Sequence, residues 1–187
     1  MPAVHYDRGT EHPRARPHRA GADRPAHRDH RSGLGRARGR GLRDAHSAEV
    51  NPRYADRENG MPPGMAVRPE EVVWTALACL GSEAVGHVTL RRLPGTVPTP
   101  GEDLEIKRMF VAAGTRGTGI GRLLLAAAEQ RATELGTPRL VLQTGDRQPD
   151  AVALYSRSGY TPIPLYEPYQ DLHYAHCFEK RLTPGPH

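Results

Sequence analysis

Lysine is nearly missing from this chain: two lysines stand against 24 arginines among 187 residues. Cysteine is scarce too. Only Cys79 and Cys177 occur, each inside an apolar run and with no Cys-x-x-Cys pair. In the absence of a secretory leader they read as buried thiols of a reducing compartment. No stretch approaches the eighteen or so apolar residues of a membrane span, and the first residues lack the apolar core of a signal peptide. A cytoplasmic protein without membrane attachment is expected. Large apolar side chains are also rare in residues 1–40, where Val4, Tyr6 and Leu34 alone follow Met1. Arg, His, Gly, Pro and Ala dominate there without period. Such a segment cannot offset the entropy of ordering its backbone, and disorder is expected.

Charge is spread unevenly. Residues 1–40 hold ten arginines and four acids, for +6, whereas residues 41–187 carry −1, for a total of +5. The basic character belongs to the leading segment, so nucleic-acid binding by the body is not indicated. A docking arm for nucleic acid or an acidic partner is the functional alternative for residues 1–40. Of their five histidines only His27 and His30 sit at helical spacing, in a context unsuited to a helix, so no metal site is expected. The arginine excess also suggests a high-GC coding sequence, in which a wrong start site or a shifted frame would yield a stretch of this kind. The remaining length suits one domain over residues 41–183, followed by a tail of residues 184–187.

From Leu42 the texture changes. "GLRDAHSAEVNPRYADRENG" reads as one helix faltering at Pro52, and a short second helix is expected near Arg68–Glu71. "VVWTALACL" and "VGHVTLRRL" flank a short Gly-containing link and read as an antiparallel hairpin. "LEIKRMFVA" is a third strand, with Glu105, Lys107, Met109 and Val111 assigned to one face by alternation. "IGRLLLAAAEQRATELG" is a helix with Ile120, Leu124, Ala127, Ala128 and Leu135 on its buried stripe, stopped by Gly136. "RLVLQTG" is a buried strand. "QPDAVALYSRSGY" is a helix opened by Pro149 and closed by Gly159, and two more strands follow. The order predicts an α/β domain on a mixed, mainly antiparallel sheet flanked by helices. Residues 1–40 offer no convincing strand to begin it.

Between the third strand and its helix lies "GTRGTGIGR". Strand, glycine-rich loop and helix together turn unpartnered backbone N–H groups toward an anion at the positive end of the helix dipole. Gly117, Gly119 and Gly121 would admit a phosphate without Cβ collision, flanked by the mobile charges of Arg116 and Arg122. A P-loop would need Lys and then Ser or Thr where Arg122 and Leu123 stand. A dinucleotide fingerprint would need a two-residue gap that Gly117-Thr118-Gly119-Ile120-Gly121 lacks. By itself the loop is equally an ordinary glycine-rich turn.

The wider stretch "LEIKRMFVAAGTRGTGIGRLLLAAAEQRA" resembles the central motif of the GNAT superfamily of acyl-CoA-dependent N-acetyltransferases, with Arg116, Gly119 and Gly121 in the family's Arg/Gln-x-x-Gly-x-Gly/Ala pattern. "DAVALYSRSGYTPI" is similar to the family's next helix, matching at Tyr155, Gly159 and Tyr160. The similarity covers residues 42–182. It implies a cytoplasmic, bacterial-type enzyme with acetyl-CoA as cosubstrate, no metal and an amine acceptor; a homodimer is compatible with it. It further implies that the loop amides of Arg116, Gly117, Thr118, Gly119, Ile120, Gly121 and Arg122 hold the pyrophosphate. Phe110, Val111 and Ala112 would run beside the pantetheine arm, with the Val111 amide donating to the thioester carbonyl. Gln148 stands where relatives often carry Asn against that arm. Glu105 is the implied general base, on the same strand face as Val111; the bland alternative is a salt-bridged Glu beside Lys107. Tyr155 is the implied acid toward the thioester sulfur, or else a core tyrosine. Tyr166, Glu167, Tyr169 and Asp171 would suit a cationic amine, and Gln143 and Thr144 would border the acceptor pocket. The rival to an N-acetyltransferase of a small-molecule or protein amine is a non-catalytic acyl-CoA-binding domain with a basic docking tail.

Overall fold

The computed structural model describes residues 3–7, 33–57, 65–94, 99 and 101–183. The expected hairpin forms as β2 (Val72–Leu80) and β3 (Glu83–Arg92), paired antiparallel around Gly81, whose φ of +59° suits a glycine turn. The third expected strand is β4 (Leu104–Val111), antiparallel to β3. From its end a short 3-10 turn, Ala113–Thr115, leads into α2 (Ile120–Glu134). Helix α2 returns the chain to β5 (Arg139–Gly145), which lies parallel to β4. Then come α3 (Pro149–Arg157), β6 (Thr161–Ile163) and β7 (Ala175–Arg181). The α/β class and the mixed, mainly antiparallel sheet are as the sequence indicated.

The N-terminal part departs from expectation. β1 (Ala3–Asp7) pairs antiparallel with Thr75–Cys79 of β2 and completes a seven-stranded sheet of order β1-β2-β3-β4-β5-β7-β6. The strand thought to lack a candidate is therefore present. A five-residue strand can be set by its neighbour's free edge rather than by its own composition. Helix α1 spans Gly33–Val50, starting nine residues before Leu42, and passes into a 3-10 turn over Asn51–Tyr54 where Pro52 removes a donor. Disorder expected over residues 1–40 thus does not hold for 3–7 or 33–40. Residues 8–32 and the tail 184–187 lie outside the described residues. The expected second helix is a 3-10 turn over Pro69–Glu71.

One face of the sheet packs on α2 and α3 through Val88, Leu90, Ile106, Ile120, Leu124, Leu125, Leu142 and Phe178, which form the main core. Leu135, expected in the buried stripe, is 36% exposed, because the helix ends at Glu134 and Gly136, at φ +76°, turns the chain away. Ala132 takes its place in the core. The opposite face is covered by α1, whose His46 ring stacks on Phe110 at 5.2 Å between centroids, and by the loop 164–174, whose Tyr169 and Leu172 pack with Cys177. Both cysteines are buried. No helix among the described residues is long and apolar enough to cross a membrane.

Candidate active site in the gap between β4 and β5

A bulge in β4 organises the site. His87 pairs with Phe110 and Thr89 with Lys107, so two residues of β4, Arg108 and Met109, oppose the single Val88. Arg108 takes the extra position with φ +52°, a left-handed conformation uncommon for a side chain of its size. The bulge reverses the alternation. Met109 and Val111 join the core beneath α2, while Glu105, Lys107 and Phe110 face the other side. The expectation that Glu105 and Val111 share a face is corrected accordingly.

The bulge also ends the pairing of β4 with β5. Only Leu104–Leu140, Glu105–Val141 and Ile106–Leu142 are paired; beyond them the two parallel strands separate. A cleft of about 630 Å³ opens there, lined by Lys107, Arg108 and Met109 on one side and Gln143, Thr144 and Gly145 on the other. Tyr155 and Gln148 close one flank, and His46, Asn51 and Tyr54 the other. Gln143, Thr144, Gln148 and Tyr155 therefore line one cleft. Tyr155 is 7% exposed, and burial pushes its hydroxyl up to about 12, so it remains a proton donor at any ordinary pH.

At the neighbouring end of β4, the loop 116–119 leads to the N-terminus of α2. Gly117 and Gly119 have φ of +78° and +89°, and a Cβ at either would meet nothing within 4 Å, which leaves an open cradle over the first helical amides. The Ile120 side chain is buried in the main core and takes no part in the cradle. Gly121 serves another purpose: a Cβ there would sit 3.2 Å from Leu154, so it lets α2 approach α3 rather than a phosphate approach the chain. Thr118 is tied back to the Thr115 carbonyl at 2.7 Å. Arg116 is not a mobile charge. Its guanidinium donates to Glu49 of α1 at 2.6 Å and to the Val111 carbonyl at 3.0 Å, and that hydrogen bond holds the Glu49 carboxyl below its usual range. Arg122 is exposed.

Glu105 does not line the cleft. It is fully buried, with Oε2 accepting from Arg91 Nε at 2.6 Å and Oε1 from Tyr169 at 2.6 Å and Tyr166 at 3.0 Å. Arg91, also fully buried, reaches Glu71 at 3.2 Å, and Lys107 donates to the Tyr169 hydroxyl at 2.9 Å. Arg68 also pairs with Glu71, at 2.7 Å, so Glu71 and Glu105 together serve Arg68, Arg91 and Lys107. Burial, then the Glu105 charge, pushes both tyrosine hydroxyls far above their ordinary range. Tyr169 is consequently a bridge inside this cluster and Tyr166 its half-buried cap, not groups offered to an acceptor. Glu167 and Asp171 are exposed and outside the cleft.

Sequence reasoning missed the cleft's other wall. His46 lines it from α1, and burial lowers its pKa below 6.5, which leaves the imidazole uncharged at neutral pH. Tyr54 packs against Gly145, where any Cβ would collide with its hydroxyl, and stacks on Tyr174. Only a histidine on the inner stripe of α1 could have signalled this wall.

A sequence profile of the acetyltransferase (GNAT) family matches residues 38–160. A curated IAA acetyltransferase of Azospirillum brasilense is 40% identical over 73 residues; the match spans 39% of this chain and 48% of that protein, about half its length. A solved structure from Klebsiella pneumoniae, described as a candidate acyl-CoA N-acyltransferase, is 28% identical with a TM-score of 0.62, over 79% of this chain and 91% of its own. A GNAT acetyltransferase from Elizabethkingia anophelis, solved with acetyl-CoA bound, shares the fold at 18% identity and a TM-score of 0.55, over 97% and 98% of the two chains. The separated strands, the glycine cradle and the match over most of the folded part agree: this chain belongs to the GNAT family of acetyltransferases.

Proposed function

We propose that the chain moves an acetyl group from acetyl-CoA to a primary amine of a small molecule or a protein, by direct attack in a ternary complex. The gap between β4 and β5, with Tyr155 on its flank and the α2 amides at its end, carries this reading. An extended pantetheine arm fits such a gap as an added strand, because the unpaired edge of β4 beyond Ile106 presents backbone donors and acceptors to it. The open cradle at Gly117 and Gly119 suits a pyrophosphate on the first amides of α2. Acetyl-CoA bound to the Elizabethkingia relative supports the same cosubstrate.

Transfer needs an uncharged amine, a donor to the carbonyl oxygen and a proton for the departing sulfur. His46 is the uncharged base lining the cleft and takes the proton the amine loses. The Val111 amide, at the end of β4, polarises the thioester carbonyl. As nitrogen bonds to the acyl carbon and the carbon–sulfur bond breaks, Tyr155 gives its proton to the sulfur and is restored from solvent. Glu105 has its oxygens filled by three donors, so its part is to fix Lys107 and Arg91, not to touch the amine.

Thiol release from acetyl-CoA with a panel of primary amines tests the proposal. Tyr155→Phe should lower turnover by roughly a hundredfold or more while leaving acetyl-CoA affinity within about twofold. An equal loss of both would show that the hydroxyl supports the fold rather than the leaving thiol. Cosubstrate binding without transfer to any amine would favour a binding domain instead.

A further inference from the structure

We infer that the acceptor amine carries a carboxylate and that Arg108 is the side chain that reads it; the inference rests on the acetyl-transfer reading above. Among the described residues, Arg57, Lys107 and Arg108 are the charged side chains lining the cleft, and none that lines it is acidic. Two of these three cations have carboxylates nearby. Arg57 pairs with Asp146 at 2.9 Å, and Lys107 lies 3.8 Å from the Glu105 carboxylate. Arg108 stands apart. Its guanidinium donates to the Val67 carbonyl at 3.3 Å, and among the described residues no carboxylate lies within ion-pair distance of it.

The charge left over is therefore a half-buried guanidinium facing the cleft. Burial, and then the nearby cations Arg43 and Arg91, hold its pKa below the ordinary arginine value, and among the described residues no acidic neighbour opposes them. An anion placed against it would relieve that cost. A carboxylate is the fitting anion, because its two oxygens match the parallel N–H donors of a guanidinium. The strained backbone at Arg108 points the same way. The left-handed φ at the bulge sends this side chain into the cleft, out of the alternation of β4, and strain of this kind persists where a site needs it. Size narrows the class further. A cleft of about 630 Å³ has to take the acyl-bearing arm as well as the acceptor, so the acceptor is a small aminocarboxylate. Cosubstrate phosphates are a separate anion: the cradle proposed for them, Gly117 to Gly119, is not part of the cleft lining.

The test uses the full chain, acetyl-CoA and matched amine pairs, each an amino acid and the amine left when its carboxylate is replaced by hydrogen or blocked as a methyl ester. The unaltered protein should prefer the carboxylate member in kcat/KM by roughly ten- to a hundredfold. Arg108→Met should bring that ratio close to one, and Arg108→Lys should keep part of it. Arg108→Gly, which accepts the left-handed backbone without strain, repeats the test free of any folding penalty at the bulge. Acetyl-CoA affinity by calorimetry should stay within about twofold throughout. Preference for the carboxylate-free member, or a ratio untouched by both the Met and Gly variants, overturns the inference while transfer itself stands. Loss of acetyl-CoA affinity in those variants overturns it as well, by assigning Arg108 to the cosubstrate. Failure of the unaltered protein to bind acetyl-CoA sinks the transfer reading, and the inference with it.

Discussion

At Glu105, Arg91, Tyr166 and Tyr169 all donate to one carboxylate that has no solvent contact, with Lys107 a further 3.8 Å ion-pair neighbour. A buried ion is tolerable only when its partners stay in place, and removing one member leaves the other uncompensated. Glu105→Gln keeps the shape but leaves the buried cations Arg91 and Lys107 one carboxylate short, and should cost about 3–5 kcal/mol, a fall in Tm of roughly 10 °C by thermal melting. The variant that remains folded at low temperature should still transfer acetyl groups. A variant of undiminished Tm but no turnover would restore Glu105 as the base. The sequence could not have distinguished these outcomes. Alternation along "LEIKRMFVA" is a sound guide to faces until one residue is added to the ladder, and the residue that absorbs the bulge is an arginine, which carries no mark of a left-handed backbone. Tyr155 was picked out by the resemblance of "DAVALYSRSGYTPI" to the family's helix, and the structure puts it on the cleft.

Among the elements, the loop into α2 was the most readable part of the site and the least resolved in detail. Three glycines announced close backbone approach, but not what approaches. The structure gives Gly117 and Gly119 to an open cradle and Gly121 to Leu154. This difference makes a prediction about the helix end. Gly119→Val should lower stability by about 1–2 kcal/mol through its positive φ alone, while acetyl-CoA affinity falls tenfold or more by calorimetry because the branched side chain fills the cradle. Unchanged affinity would move the pyrophosphate elsewhere. Helix α1 shows the opposite kind of blindness. Its length and its His46 wall were hidden, since Gly33, Gly35, Gly39 and Gly41 argue against a helix locally, while the helix packs on β3 and β4.

For the whole molecule, the sequence of elements and the mixed, mainly antiparallel sheet flanked by helices followed from hydrophobic periodicity and turn residues, apart from the outer strand. Five residues surrounded by arginine, histidine and proline give no periodic signal, and β1 exists because the Thr75–Cys79 edge of β2 offers it a partner. A chain beginning at Gly41 would leave that edge bare and lose the first two turns of α1. It should melt several degrees lower and self-associate in light scattering, as exposed edges do; identical melting and a monodisperse preparation would show that the outer strand contributes nothing. The opposite boundary, within the sheet, has a different meaning. β1 to β4 form one leaf, β5 to β7 another, and three residue pairs fasten them. A cosubstrate lodged along that seam would be gripped from both leaves at once, so on the proposed reading the molecule is stiffest when loaded and loosens with each departure of the spent carrier.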